Sequence, residues 1–330
     1  MGLPDHKYQF PDIISQILEK EVVCMADHAF IFPGQGSQYS GMGKELAGSF
    51  KIAGDTFAEA DDTLGFALSR LCFEGSEEDL KLTANTQPSI LTTSIATLRV
   101  LRNETPFTAA FLAGHSLGEY SALVAAGAMD FADAVRTVRA RGKYMQEAVP
   151  VGVGTMAVIL GVETDILMEI CQEAALGEVV APANFNSPGQ IVIAGHAGAV
   201  GRAIEIAKGR GFRKAMLLPV SAPFHCSLMS PAGERLAETL EGVNINTLEI
   251  PVVSNVEARP NLDKERVKEL LVRQVSAPVL WEASVMRMVE SGVERFIEVG
   301  PGKVLSGLVK RIAKNVATSN IEDITTLKAL

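Results

Sequence analysis

The stretch Ala110–Tyr120, A-F-L-A-G-H-S-L-G-E-Y, runs an apolar strand pattern straight into Gly114-His115-Ser116-Leu117-Gly118 and then into an alanine-rich helical pattern. G-x-S-x-G between a strand and a helix describes a nucleophile elbow. Its glycines permit a sharp turn, and the turn lifts the serine oxygen above the sheet at a helix N-terminus. The backbone N–H of Leu117 then faces any oxyanion that develops. A bland strand-to-helix junction would use the same glycines, so the motif needs company.

A serine hydroxyl needs a neighbouring base, usually histidine, and the chain has five. His6 and His28 lie in or beside an N-terminal extension, His115 abuts Ser116 and is expected to point to the other side of the elbow, and His196 ends a strand. His225 remains, in P-V-S-A-P-F-H-C, where Pro223 stiffens the approach. An acid between serine and histidine in chain order would complete a hydrolase triad. Asp130 and Asp133 read instead as a cap-like pair at a helix start and Asp165 as a first-turn residue, so no third member is evident. A histidine oriented by a carbonyl alone activates serine less, which suits a thioester better than an amide and favours acyl transfer over proteolysis.

On the helix expected from about Asp130 to Glu147, Ala134, Val138, Arg141 and Met145 share one apolar stripe, while Arg136, Arg139 and Lys143 point elsewhere. The Arg141 stem could pack with its head reaching a surface carboxylate. Alternatively, its fork could grip a substrate carboxylate in bidentate fashion.

Around these residues strand and helix patterns alternate. Ala29–Phe32 opens the core, Pro33–Gly43 is a glycine-rich loop, Gln87-Pro88 starts a helix with proline in its first turn, and Ala109–Ala113 is a buried strand. The alternation predicts an α/β fold with a parallel sheet covered by helices. Between Val151 and Val220 the rhythm changes to strand 155–160, helix 164–175, strands 179–184 and 190–194, helix 197–210 and strand 214–220. That βαββαβ order is the ferredoxin-like unit. Strand patterns at 250–254 and 295–299 then resume the larger domain. The expected division is an extension over 1–24, a large domain over 25–150 and 222–330, and an inserted small domain over 151–221; Met25 reads as an alternative start.

Of the 330 residues 47% are hydrophobic, enough for a large core, yet charges interrupt every run that could span a membrane. The N-terminus lacks the pattern of a secretion signal, so the cytoplasm is the expected compartment. Cys24, Cys72, Cys171 and Cys226 lack C-x-x-C spacing and read as reduced packing residues, and no His/Cys/Asp/Glu cluster has metal spacing. A net charge of -9 leaves no general nucleic-acid footprint. Gly300-Pro-Gly-Lys303 lacks the full phosphate-loop pattern, and Gly34-x-Gly36 is too short for a dinucleotide fingerprint.

Six motifs in order carry a resemblance: Phe32-Pro-Gly-Gln-Gly-Ser-Gln38, Gln87-Pro-Ser-Ile90, Gly114-His-Ser-Leu-Gly-Glu-Tyr120, Arg141-Gly-Lys-Tyr-Met-Gln-Glu147, Asn184-Phe-Asn-Ser-Pro-Gly-Gln190 and Pro223-Phe-His225. From about Asp27 to Leu308 the chain resembles the malonyl-CoA:acyl carrier protein transacylase family of fatty acid and polyketide synthesis. The resemblance implies an α/β-hydrolase-like large domain, a ferredoxin-like small one and an active site in the cleft between them. It implies malonyl-CoA and acyl carrier protein as partners, with no cofactor, no nucleic acid and no membrane. It makes Ser116 the acyl acceptor and His225 its base, with Gln274 orienting the histidine through its main-chain carbonyl. The N–H groups of Gln35 and Leu117 become the oxyanion hole, and Arg141 the grip on the malonyl carboxylate. Phe224, bulky beside the histidine, mildly favours malonyl over branched extender units. Acyl carrier proteins are acidic, so Lys208, Arg210, Arg213 and Lys214, or Arg136, Arg139 and Lys143, are candidate docking cations. A serine esterase or thioesterase, and a non-catalytic acyl-CoA binder, are the competing readings.

Overall fold

The computed structural model describes residues 27–220 and 222–330; the expected extension over 1–24 lies outside the described residues. Six strands form one sheet: β1 (His28–Phe32), β2 (Phe111–Gly114), β7 (Val252–Val253), β8 (Pro260–Asn261), β9 (Arg295–Val299) and β10 (Ala317–Ile321), in the order β10-β9-β1-β2-β7-β8. All neighbours are parallel except the short β7–β8 edge. The central strands are apolar on both faces because both are covered. Phe30, Phe32 and Leu112 enter one core, while Ala29, Ile31 and Ala113 enter another with Phe296 and Trp281.

Strand β10 is absent from the sequence expectations. Its residues A-T-S-N-I alternate no apolar face and only Ile321 is buried, as fits an edge strand that gains order from pairing with β9.

The second sheet comprises β3 (Gly154–Leu160), β4 (Val180–Ser187), β5 (Gln190–His196) and β6 (Ala215–Leu217), antiparallel throughout in the order β4-β5-β3-β6. Helices Thr164–Ala175 and Ala197–Gly209 cover one face. Met156, Ala183, Val192 and Ala194 on the other face join the main core, so this sheet too is buried twice. The strand expected over 214–220 is shorter in the structure: it spans Ala215–Leu217, Leu218 N still bonds Met156 O at 2.9 Å, and Leu218 and Val220 line the cleft.

The helix expected to begin at Gln87-Pro88 begins at Thr83 and runs to Glu104, with Pro88 inside it. Proline removes the N–H that would bond the Ala84 carbonyl. Arg139 Nη1 donates to that carbonyl instead, which lets the helix continue. Helix Phe131–Glu147 approaches this turn closely at Gly142, where an added Cβ would lie 2.6 Å from the Thr83 oxygen. That contact sets the neighbouring Arg141 against Gln87.

Candidate active site

At the end of β2, Ser116 adopts φ 54, a left-handed conformation uncommon for a residue with a side chain, and helix Gly118–Ala125 follows at once. The turn admits no bulk. A Cβ on Gly114 would lie 2.0 Å from Gly118 carbonyl atoms, and one on Gly118 would lie 2.2 Å from the Phe32 oxygen. Asn255, just past β7, holds the turn from outside: its Oδ1 accepts from Ser116 N at 2.7 Å and its Nδ2 donates to Gly114 O at 2.7 Å. Gly118→Ala is therefore expected to destabilise the protein by about 3 kcal/mol, while Gly48→Ala, in open space on a helix, changes stability by less than ~1 kcal/mol. Denaturant titration of the two variants checks this, and equal midpoints would contradict it.

His225 is the second left-handed residue of the site, with φ 60. Its Nε2 lies 2.8 Å from Ser116 Oγ and its Nδ1 lies 2.8 Å from the Gln274 carbonyl oxygen. A carbonyl accepts only, so Nδ1 carries the proton and Nε2 is left to take one from serine. Burial, reinforced by the Arg141 charge, pushes the imidazole down to about 3, so it stays neutral. Asp130, Asp133 and Asp165 all stand away from the cleft. Asp130 makes no side-chain cap, and Asp133 accepts from Arg136 on the surface.

Arg141 is 1% exposed, which excludes a head reaching a surface carboxylate. Its Nη1 donates to Gln87 Oε1 at 2.8 Å, and its Nη2 donates to Gln274 Oε1 at 2.9 Å and to Ser116 Oγ at 3.1 Å. Its guanidinium lies 5.6 Å from the Tyr120 ring centroid. All its hydrogen-bond acceptors are neutral, and Nε has no partner among the described residues. The Gln274 amide is used on both ends, with Nε2 donating to Ser116 O at 2.9 Å and to Glu119 Oε2 at 2.7 Å.

A cavity of about 110 Å³ opens over Ser116, lined among others by Gln35, Leu117, Arg141, Phe224 and His225. The Gln35 and Leu117 backbone N–H groups donate to no other described backbone group. His115 does not point away from the site as expected: its ring also lines the cavity, and its Nε2 reaches Asn186 Oδ1 at 2.9 Å. The same ring lies 5.8 Å from the Trp281 ring, so it sits between the cavity and the core around Trp281.

Sequence reasoning missed Asn255, Glu119, Gln87 and Asn186 as site members. The last three stand inside the quoted motifs, whereas Asn255 has only its position after a parallel strand to signal it. Of the candidate docking cations, Lys208 pairs with Glu205, Arg210 with Glu169 and Glu173, and Arg136 with Asp133. Arg139 is occupied against the Pro88 turn.

Among the described residues no helix is long and apolar enough to cross a membrane, and no group of three or more His, Cys, Asp or Glu is placed to hold a metal ion. Cys72, Cys171 and Cys226 are free and buried, while Cys24 lies outside the described residues.

A serine–histidine pair on an elbow, with a buried arginine beside it, is the equipment of acyl-group chemistry. The family model for the acyl transferase domain matches residues 29–328. The chain is an acyltransferase and belongs to the malonyl-CoA:acyl carrier protein transacylase family. The malonyl CoA-acyl carrier protein transacylase of Escherichia coli (strain K12) is 49% identical over 305 residues, 92% of this chain and 99% of that one. Its counterpart in Bacillus subtilis (strain 168) is 50% identical over 92% of this chain and 96% of its own. The crystal structure of an acyl carrier protein S-malonyltransferase from Vibrio cholerae superposes with a TM-score of 0.90 at 48% identity, covering 92% and 99% of the two chains. A malonyl-transacylase solved in complex with its type II PKS acyl-carrier protein gives 0.89 at 46% identity over 92% of this chain and 98% of that one.

Proposed function

We propose that the protein moves a malonyl group from malonyl-CoA to the phosphopantetheine thiol of acyl carrier protein, in the cytoplasm, through a malonyl ester on Ser116. His225 Nε2 takes the Ser116 proton as the oxygen attacks the thioester carbonyl. The carbon–sulfur bond breaks, a carbon–oxygen ester bond forms, and the proton passes to the departing CoA thiolate. In the second half the carrier thiol gives its proton to His225 and attacks the ester. The carbon–oxygen bond breaks, a new thioester forms, and Ser116 recovers the proton. Gln35 and Leu117 N–H groups stabilise the oxyanion of each tetrahedral intermediate. Gln274 orients the base by its carbonyl, and Phe224 narrows the cavity beside His225.

The observation that carries the reading is Arg141: a buried guanidinium, 3.1 Å from the nucleophile, with only neutral acceptors around it. A substrate carboxylate gives such a group the direct charged partner that none of its acceptors provides. An esterase has no use for it, and a mere binder has no use for the aligned Ser116–His225 pair.

The architecture that frames this cleft is read as an α/β-hydrolase-like large domain over 25–150 and 222–330 with a ferredoxin-like insertion over 151–221. The antiparallel order β4-β5-β3-β6 supports the second part.

Initial-rate kinetics with malonyl-CoA and a phosphopantetheinylated carrier protein test the two-step scheme. Parallel double-reciprocal lines are expected, and intersecting lines would require both substrates to be bound together.

A further inference from the structure

Glu119 stands across Gln274 from Arg141 and has no part in the chemistry proposed above. It is 3% exposed. Its Oε2 accepts from the backbone N–H of Asn255 at 3.1 Å and from Gln274 Nε2 at 2.7 Å. The other end of the same amide, Gln274 Oε1, accepts from Arg141 Nη2 at 2.9 Å. One amide thus bridges a buried carboxyl and a buried guanidinium. Glu119 also lines a second, small cavity together with Ser254. The buried Ser254 hydroxyl has no partner among the described residues. A neutral carboxyl needs an acceptor for its O–H, and the cavity lining contains one in that Ser254 hydroxyl.

We propose that Glu119 is a specificity-determining residue: its carboxyl takes up a proton when a negatively charged acyl group docks on Arg141, and uncharged acyl groups do not draw that proton in. The inference rests on the acyl-transfer reading above. Two carboxylates around one buried guanidinium leave a negative charge uncompensated where water cannot screen it. Protonating Glu119 on Oε1 removes that charge and leaves Oε2 free to accept from Asn255 N and Gln274 Nε2 as before.

Burial pushes the Glu119 carboxyl up to about 7, against the pull of Gln274, Asn255 and Arg141, so it is poised to exchange a proton near neutrality. Arg141 is the charged group that faces it, from helix Phe131–Glu147. Tyr120, on its own helix, is driven upward by burial and stays neutral. The helix bearing Gln274 and the segment bearing Ser254 and Asn255 present amides and a hydroxyl to it, none of which carries charge. His115 and His225, the remaining titratable groups of the cleft, are both held down by burial.

The sign follows from charge. A malonyl carboxylate raises the Glu119 value above that of the free enzyme, so protonated Glu119 favours malonyl. The preference for malonyl is full below about pH 7, falls as pH rises above it, and levels off past the raised value. Acetyl lacks the carboxylate and serves as the reference. The malonyl-to-acetyl ratio cancels unrelated titrations, such as that of Glu298, raised to about 7 by burial under helix Val304–Ile312.

The test measures second-order acylation rates with malonyl-CoA and acetyl-CoA from about pH 6 to about pH 9, where the ratio is expected to fall roughly tenfold. In Glu119→Gln, which keeps the shape and fixes the group neutral, the ratio becomes flat. On the wild-type protein, an indicator dye in weak buffer near neutral pH reports proton uptake on malonylation and none on acetylation. A flat wild-type ratio, a slope that survives in Glu119→Gln, or equal proton uptake with both thioesters would overturn the inference while leaving acyl transfer intact. No malonyl adduct at any pH would overturn both.

Discussion

His225→Ala is expected to slow acylation of Ser116 by roughly 10³- to 10⁴-fold, because the serine proton then has no acceptor within hydrogen-bond reach. The 2.8 Å contact from Ser116 Oγ to His225 Nε2 is the path that the change removes. Rapid-quench acylation with acetyl-CoA or malonyl-CoA reads the loss directly. In the wild-type protein the same contact predicts an unusual acid limb. With the imidazole pushed down to about 3, its neutral, basic form persists across the whole acid range. Acetylation should therefore hold its rate from about pH 8 down to about pH 5, where an ordinary histidine near 6.5 would already have charged. A rate that drops through that ordinary value would show that the base is not the buried group described here.

The second large effect concerns Arg141. Arg141→Ala is expected to lower the kcat/KM ratio of malonyl-CoA to acetyl-CoA by roughly ten- to a hundredfold, the worth of about 1.5 to 3 kcal/mol for a charge-assisted pair. Some loss common to both thioesters is expected as well, since Nη2 also donates to Ser116 Oγ at 3.1 Å and stabilises negative charge growing there. The ratio isolates the carboxylate. Arg141→Lys keeps the charge but cannot reach Gln87, Gln274 and the acyl carboxylate at once, so an intermediate ratio is expected. Equal losses for the two thioesters in Arg141→Ala would remove the arginine from substrate recognition.

What the sequence disclosed and what it hid divide along physical lines. Ser116, its flanking glycines and the stripe that buries Arg141 are local patterns, with periods of two or of 3.6 residues, and they were readable. The strand and helix order of the second sheet was readable for the same reason. Strand β10 was not, because a polar edge strand owes its form to β9 and carries no apolar alternation. The start of helix Thr83–Glu104 lies ahead of the expected one because proline normally marks a first turn, and the arginine that bonds the Ala84 carbonyl freed by Pro88 lies 55 residues beyond that carbonyl. The place of His115 beside the cavity is not local either, since its ring partner Asn186 lies 71 residues away.

The polar network was the least legible part. Glu119 meets Asn255 across 136 residues and Gln274 across 155, and Ser116 meets Asn255 across 139. Nothing local to any of these residues specifies its partner. The fold supplies the pairing by bringing the end of β7 and the helix Lys264–Ser276 to the elbow. Burial then makes each pairing obligatory, since an amide or carboxyl left unpaired there would cost more than most single contacts return.

The central claim is a covalent malonyl ester on Ser116, formed by the His225 contact and oriented by Arg141. Intact-mass measurement after brief exposure to malonyl-CoA tests it most directly. One malonyl adduct is expected on the wild-type chain, absent in Ser116→Ala, stable until a phosphopantetheine thiol is supplied and then discharged onto it. An adduct that persists in Ser116→Ala, or free malonate released without any acceptor, would contradict the account.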